Sequence, residues 1–191
     1  MDGAVCPART IETRRLVLRP LTLDDAAPIQ RLFPRWEIVR FLSDVVPWPY
    51  PEDGALTYIR DVALPAMERG EEWHWTLRPR HAADDPVGVI SLMAHRDNNR
   101  GFWIGSPWQG RGYMTEAADA VTDFWFAELG RDVLRVPKAA ANEASRRISE
   151  RSGMRVVRTE MRDYVSGRRL AEVWEITRAE WLARRAADAL T

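Results

Sequence analysis

Lysine is almost missing from this chain. Only Lys138 is a lysine among its 28 basic residues, and all the others are arginine, so mechanisms that need a Schiff-base or phosphate-loop lysine are nearly excluded. Cysteine is equally scarce. Cys6 alone can make neither an internal disulfide nor a multi-cysteine metal site, which points to a reducing cytoplasm and to chemistry without a metal. Net charge is missing too, because 28 acidic residues balance the 28 basic ones. That balance argues against nucleic acid or an anionic membrane as a partner. No apolar run approaches the ~18 residues of a spanning helix, and the first residues lack the basic start and apolar stretch of a signal peptide.

What is present suits one folded unit. A length of 191 residues, 46% of them hydrophobic and 29% charged, fits a single domain with a real core. Nine tryptophans are many for this length, and such large, partly polar side chains serve pockets and interfaces as well as cores. Residues 1–10 show no periodicity and read as a flexible tail before a single domain over 11–191. A short strand at 14–19 precedes Thr22–Asp25, a capping box opening a helix to about Phe33. The Pro- and Trp-rich stretch 34–51 reads as a short helical piece over 37–42 and then a loop, and 52–69 as a helix stopped by Gly70. Strands over 73–77, 87–93 and 100–104 form an antiparallel meander. A helix with apolar positions from Met114 to Leu129, a strand at 132–136, a helix capped by Asn142, a hairpin over 155–176 and a terminal helix opened by Thr177 and Glu180 complete the order. This mixture predicts an α/β, or α+β, fold with a mixed sheet.

The sharpest local signal is Gln109-Gly110-Arg111-Gly112 between a strand and a helix. Glycines let backbone approach a ligand, and free amides at a helix start face an anion, so a phosphate should sit there. The dinucleotide fingerprint fails because Thr115 stands where its third glycine belongs, and the nucleotide-triphosphate loop fails for want of a lysine.

Residues 102–117, FWIGSPWQGRGYMTEA, resemble the core motif of the GNAT acetyltransferase superfamily. Gln109, Gly110, Arg111 and Gly112 match, as do Tyr113, Thr115, Glu116 and Ala117, while Met114 stands where a small residue is usual. Asn142 and Ser145 with Gly153-Met154 downstream are similar to a second family motif, and the run from Thr13 to Pro20 with Asp24-Asp25 resembles the RimJ/RimL-like branch of ribosomal-protein N-terminal acetyltransferases. The similarity spans roughly residues 11–177 and implies a central, mostly antiparallel sheet flanked by helices.

The resemblance implies acetyl-coenzyme A as cosubstrate and a primary amine, on a protein N-terminus or a small molecule, as acceptor. It implies that the amides of Gly110, Gly112 and Met114 with Thr115 take the pyrophosphate, and that Arg111 meets a terminal phosphate or remains a solvated surface residue. Met114 either points to the core or narrows the site. Backbone at Trp103, Ile104 and Gly105 would serve the pantetheine arm, and Asn142 would bind that arm or merely cap its helix. Ser145 is either the general acid for the leaving sulfur or a helix-cap partner, with Tyr164 as another acid. For the general base the candidates are Glu37, Asp44, Glu72, His74 and His95. Trp36, Trp48, Tyr50 and Trp108 are expected to wall the acceptor site, with His95 facing it. Monomer and homodimer both remain open, and so does a non-catalytic acyl-coenzyme A sensor or scaffold of the same fold.

Overall fold

The computed structural model describes residues 6–82 and 84–188. Its strands form two antiparallel ladders. The first runs β1 (Ile11–Glu12), β2 (Leu16–Pro20), β3 (Glu72–Pro79), β4 (Gly88–His95) and β5 (Asn98–Ile104), in that order across the sheet. The second has β8 (Gly167–Thr177) at its centre between β6 (Val133–Ala139) and β7 (Arg155–Tyr164). The expected antiparallel sheet flanked by helices thus forms, divided between β5 and β6.

Alternation along the strands decides which helices cover which face. Leu16 and Leu18 of β2 and Trp73, Trp75 and Leu77 of β3 join a core with α5 (Tyr113–Ala127), in which Met114, Ala117, Val121 and Phe124 recur at helical spacing. The opposite face of the same sheet carries a second core, built on α1 (Ala26–Leu32), α2 (Trp36–Val39) and the helical run that follows. That run is α3 (Gly54–Tyr58), a wider π turn over Ile59–Ala63, and α4 (Leu64–Glu68). Sequence alone suggests an uninterrupted helix over 52–69, whereas Pro65 has no N–H to give to the preceding turn, and the π turn sits just before it. Between β6 and β7 lies α6 (Glu143–Arg151), and after β8 comes α7 (Arg178–Asp188).

The nine tryptophans divide cleanly by role. Trp73, Trp75, Trp125, Trp174 and Trp181 are buried in the core, and each indole N–H donates to an acceptor. Two of those acceptors, the carbonyls of Cys6 and Arg9, belong to the segment expected to be a free tail. Its described part is therefore docked on β3, while residues 1–5 of that expected tail lie outside the described residues. Trp103 and Trp108 are half-buried and Trp36 and Trp48 exposed. No helix among the described residues is long and apolar enough to cross a membrane.

Two joints hold the layers in register. Thr22 and Asp25 form the expected capping box, and buried Asp25 is also paired with Arg78 of β3. Glu116 of α5 accepts hydrogen bonds from Thr13 Oγ1 (2.6 Å), the Arg15 amide (2.7 Å) and Arg15 Nε (2.6 Å), tying the β1–β2 turn to the start of the helix. Burial pushes the Glu116 carboxyl up, and these three donors outweigh it, so its pKa lies below the ordinary value. A lowered folded-state pKa stabilises the fold above the unfolded carboxylate's value of about 4.3, and that contribution is lost as pH falls through the folded value. Glu116→Gln is expected to lower Tm by roughly 2–4 °C near neutral pH, about 1 kcal/mol, with the gap to wild type closing as pH falls through the lowered carboxyl value. Thermal unfolding across pH measures this, and a gap that ignores pH would contradict it.

Candidate active site

Strands β5 and β6 are each the last strand of a ladder, and each leaves one backbone edge unpaired by the other. They are joined at one end by a buried side chain. Asn99 Oδ1 accepts from the Arg135 amide (2.8 Å), and its Nδ2 donates to the carbonyls of Met93 (3.2 Å) and His95. Pro137, which has no N–H to give, lies further along β6, as suits a strand with a free edge. The result is a cleft between two strand edges, closed at the Asn99 end.

At the other end of β5 the chain turns through Ser106–Trp108 into Gln109–Gly112 and then α5. Gly110 and Gly112 both have left-handed backbones, with φ of 73° and 76°. A Cβ at Gly110 would meet nothing within 4 Å, so that side of the loop is open, whereas one at Gly112 would lie 3.2 Å from Arg15 Nη2. Arg15 also donates to the Arg111 carbonyl (2.9 Å) and lies over the Tyr113 ring (5.1 Å). The loop is thereby held with its carbonyl turned to Arg15 and the helix-start amides left for an anion. Arg111 is exposed, and Thr115 is half-buried in the first turn. Of the two readings of Met114, the structure has its side chain in the core.

Gln109, expected among the ligand-binding residues, instead donates from Nε2 to the Ile104 carbonyl (3.1 Å) and locks the loop to the end of β5. Trp108, expected on the acceptor wall, packs over Gly105, whose Cβ position lies 3.0 Å from its ring. Both residues therefore build the turn. Asn142 caps α6 with its side-chain oxygen on the Ser145 amide (3.2 Å). The hydroxyl of Ser145 accepts a hydrogen bond from Lys138 Nζ (2.7 Å), and no acceptor among the described residues takes its own proton. Lys138 is buried and lies over the Phe102 ring (4.8 Å), joining β6 to β5 across the cleft.

Sequence reasoning missed Lys138. The signal was the alternation of β6, which places Lys138 on the face of Leu134 and Val136; ending that strand at Val136 hid it.

On the opposite face, Trp103 of β5 meets Phe33 edge to face (5.1 Å), and Phe33 meets Tyr50 in the same way (4.9 Å). Phe33 was not singled out in the sequence. Burial pushes the Tyr50 hydroxyl up to about 12. Trp36 and Trp48 pack on each other (5.6 Å) at the outer end of this aromatic row, where the Trp48–Pro49 peptide is cis. The whole segment 34–51 spans the cleft mouth. It is pinned to the first sheet by Ser106 Oγ donating to Glu37 (3.0 Å), and to the second by a Ser43–Tyr164 bridge and the Val165 amide on the Leu42 carbonyl (3.0 Å). The Tyr164 hydroxyl is buried there, among the described residues without a hydrogen-bond partner, and burial raises its pKa.

The base candidates scatter. A backbone hydrogen bond at its own residue, and then Ser106, hold the Glu37 carboxyl below its ordinary value, which makes it a weaker base. Asp44 is exposed on the loop. His95 does not reach the site. It pairs with Asn98 at the closed end of the cleft, six residues from Ile104 along β5, or roughly 20 Å at strand spacing. Glu72 and His74 lie two strands from β5, with His74 level with Ser91 and, through it, with Gly101 in mid-β5, and His74 bonds Glu72 (2.7 Å) and Ser91 (2.6 Å). Among the described residues no group of three or more His, Cys, Asp or Glu is placed to hold a metal ion.

Family comparison agrees with this geometry. Residues 15–155 match the model of an acetyltransferase (GNAT) domain. The chain belongs to the GNAT acetyltransferase family, and it is an N-acetyltransferase by that membership. Its fold is similar to that of RimL, described as a ribosomal L7/L12 alpha-N-protein acetyltransferase in complex with coenzyme A, with a TM-score of 0.74 at 15% identity over 88% of this chain and 98% of that one. It is similar also to Mycobacterium smegmatis RimJ in complex with a coenzyme A disulfide, at TM-score 0.72 and 16% identity over 85% and 81% of the two chains. A point mutant of the spermidine N-acetyltransferase SpeG from Vibrio cholerae gives a TM-score of 0.71 at 16% identity over 91% and 99%. These neighbours accord with the RimJ/RimL-like branch, and at such identities what is shared is the fold.

The loop geometry of this GNAT domain makes a direct prediction. Gly112→Val places a branched side chain at φ 76° against Arg15, at a strain of about 1–2 kcal/mol, and crowds the amides of α5. Calorimetric titration with coenzyme A should show affinity lowered at least tenfold in a protein that still unfolds cooperatively. Wild-type affinity would mean that the loop does not face the ligand.

Proposed function

We propose that the protein transfers an acetyl group from acetyl-coenzyme A to a primary amine by direct attack while both substrates are bound. One observation carries this reading: two left-handed glycines at the start of α5, open on one side, stand beside the unpaired edges of β5 and β6. Anionic pyrophosphate suits the amides of Gly110, Gly112 and Met114 with the Thr115 hydroxyl, and exposed Arg111 suits a further phosphate. The free edge of β5 at Trp103, Ile104 and Gly105 offers backbone groups to the amides of a pantetheine arm. The residues present thus fit coenzyme A, whose thioester supplies the acyl group when bound.

In the transfer a C–N bond forms and a C–S bond breaks, the amine loses a proton and the sulfur gains one. Ser145 is our candidate for that second proton, because its hydroxyl accepts from Lys138 and remains free to donate. The acceptor enters from the opposite face, between Trp103 and segment 34–51, where Tyr50, Trp36 and Trp48 line the approach. The names of the neighbours span a protein α-amine and a polyamine, both primary amines, and that is the acceptor class proposed here. With its side chain in the core, Met114 no longer favours a non-catalytic binding module, and the lack of an evident general base is what that second reading still stands on. We place the enzyme in the cytoplasm, as a monomer or homodimer with one domain from residue 11 onward.

Free-thiol release with acetyl-coenzyme A, screened over peptide N-termini, polyamines, aminoglycosides and amino acids, tests the reading. At least one primary amine is expected to release thiol and gain one acetyl group by mass, and release with none would reject it. Trp48→Ala should raise the acceptor's KM several-fold and leave that of acetyl-coenzyme A nearly unchanged, whereas equal effects on both would make the loop structural. Ser145→Ala should lower kcat by roughly 10²-fold with coenzyme A affinity intact, and an unchanged kcat would reduce Ser145 to a helix-cap partner.

A further inference from the structure

Lys138 has an environment that structure alone does not explain. It is 4% exposed, and among the described residues it has no carboxylate partner; its one hydrogen bond is to the neutral hydroxyl of Ser145. The charge that acts on it most is that of another buried cation, Arg100 of β5, which donates to Thr122 Oγ1 (2.7 Å) of α5. Asp119 of α5 interacts with Arg100 and accepts from Ser152 Oγ (3.3 Å). Opposite Lys138 on β8 is Glu172, but its carboxylate is held by Arg146 (2.8 Å) of α6 and the Trp174 indole (3.2 Å). A buried ammonium without a counter-ion is costly, and an apolar side chain of the same length would fill this space at less cost.

The choice of lysine narrows the explanation. Every other basic residue in the chain is arginine, which stays charged at any working pH, whereas a buried lysine can give up its proton. The Phe102 ring offers its face to the ammonium form, and Ser145 Oγ stands 2.7 Å away as the acceptor.

We infer that Lys138 stands behind Ser145 as its proton source and positioning residue, so that the ammonium reloads the serine hydroxyl as that hydroxyl protonates the departing sulfur. The inference rests on the reading of Ser145 as the acid. The step balances: the Ser145 O–H proton passes to sulfur, a Lys138 N–H proton passes to the Ser145 oxygen, and Lys138 is left as a neutral amine. It regains its proton from solvent or from the one shed by the acceptor nitrogen. Burial first, and then the charge of Arg100, hold the Lys138 pKa well below its ordinary value, which makes the ammonium a stronger acid than an exposed lysine. Because the charged form is the active one, kcat falls as pH rises through that lowered pKa.

The test compares Lys138→Met, Ser145→Ala and the double variant, each checked for coenzyme A binding and thermal unfolding. Lys138→Met should lower kcat about tenfold or more, leave the KM of acetyl-coenzyme A within about twofold, and abolish the alkaline fall of kcat. The double variant should be no slower than Ser145→Ala alone, because the two residues act as one unit. A fall with Ser145→Ala but none with Lys138→Met would overturn this inference and leave Ser145 as the acid, while no fall with Ser145→Ala would overturn both. A slower Lys138→Met enzyme that keeps its alkaline limb would make Lys138 structural and also sink the idea. Should Lys138→Met fail to fold, the wild type decides. Its single lysine, labelled with carbon-13 at Cε, gives one resonance, expected to titrate at the midpoint of the alkaline limb, whereas titration at the ordinary value of about 10.4 would refute the relay.

Discussion

The edge-to-edge meeting of β5 and β6 is the constraint on which everything else here depends. Asn99 satisfies one backbone donor of β6 and two carbonyls near the β4–β5 turn, so the strands are held together without a shared ladder. An open sheet edge is a liability unless something covers it or uses it. Here the β5 edge lies beside an anion-ready loop, and the mouth of the cleft is spanned by segment 34–51. A long extended ligand with amides along it and phosphates at one end is the chemistry that such an edge and such a loop accept.

Charge is used sparingly around that cleft. The chain is rich in arginine, yet the arginine that packs against the loop from β2's side, Arg15, is neutralised by Glu116 and acts as a brace. At the far wall the charge of buried Arg100 acts on buried Lys138, and among the described residues no carboxylate is paired with both. Arg100 spreads its hydrogen bonds over Thr122 and the Ala118 carbonyl, and burial lowers its pKa to about 10. The relay proposed for Lys138 and Ser145 belongs to this wall.

Much of this was legible in the sequence, and the reasons for the gaps are physical. The turn from Gln109 to Gly112 and the helix after it were readable because glycine spacing and apolar periodicity are local signals. So were the tryptophans of β3, whose alternation put them in the core. Long-range facts were not readable. His95 follows a strand, as a site residue often does, but antiparallel pairing carries it to the closed end of the cleft. Gln109 and Asn142 lie in the expected motifs yet use their side chains to hold the Ile104 carbonyl and the Ser145 amide. Lys138 was hidden by Pro137, which reads as a strand stop but is tolerated on an edge. The docking of the N-terminal segment depends on two indole N–H groups 66 and 67 residues away.

Amide hydrogen exchange with and without coenzyme A tests the central claim most directly, because it reads the loop and the strand edge in one experiment. Slowed exchange is predicted at residues 103–105 and 110–115 together, with no change at the remote end around His95. Protection confined to that remote end, or absent from the β5 edge, would contradict it.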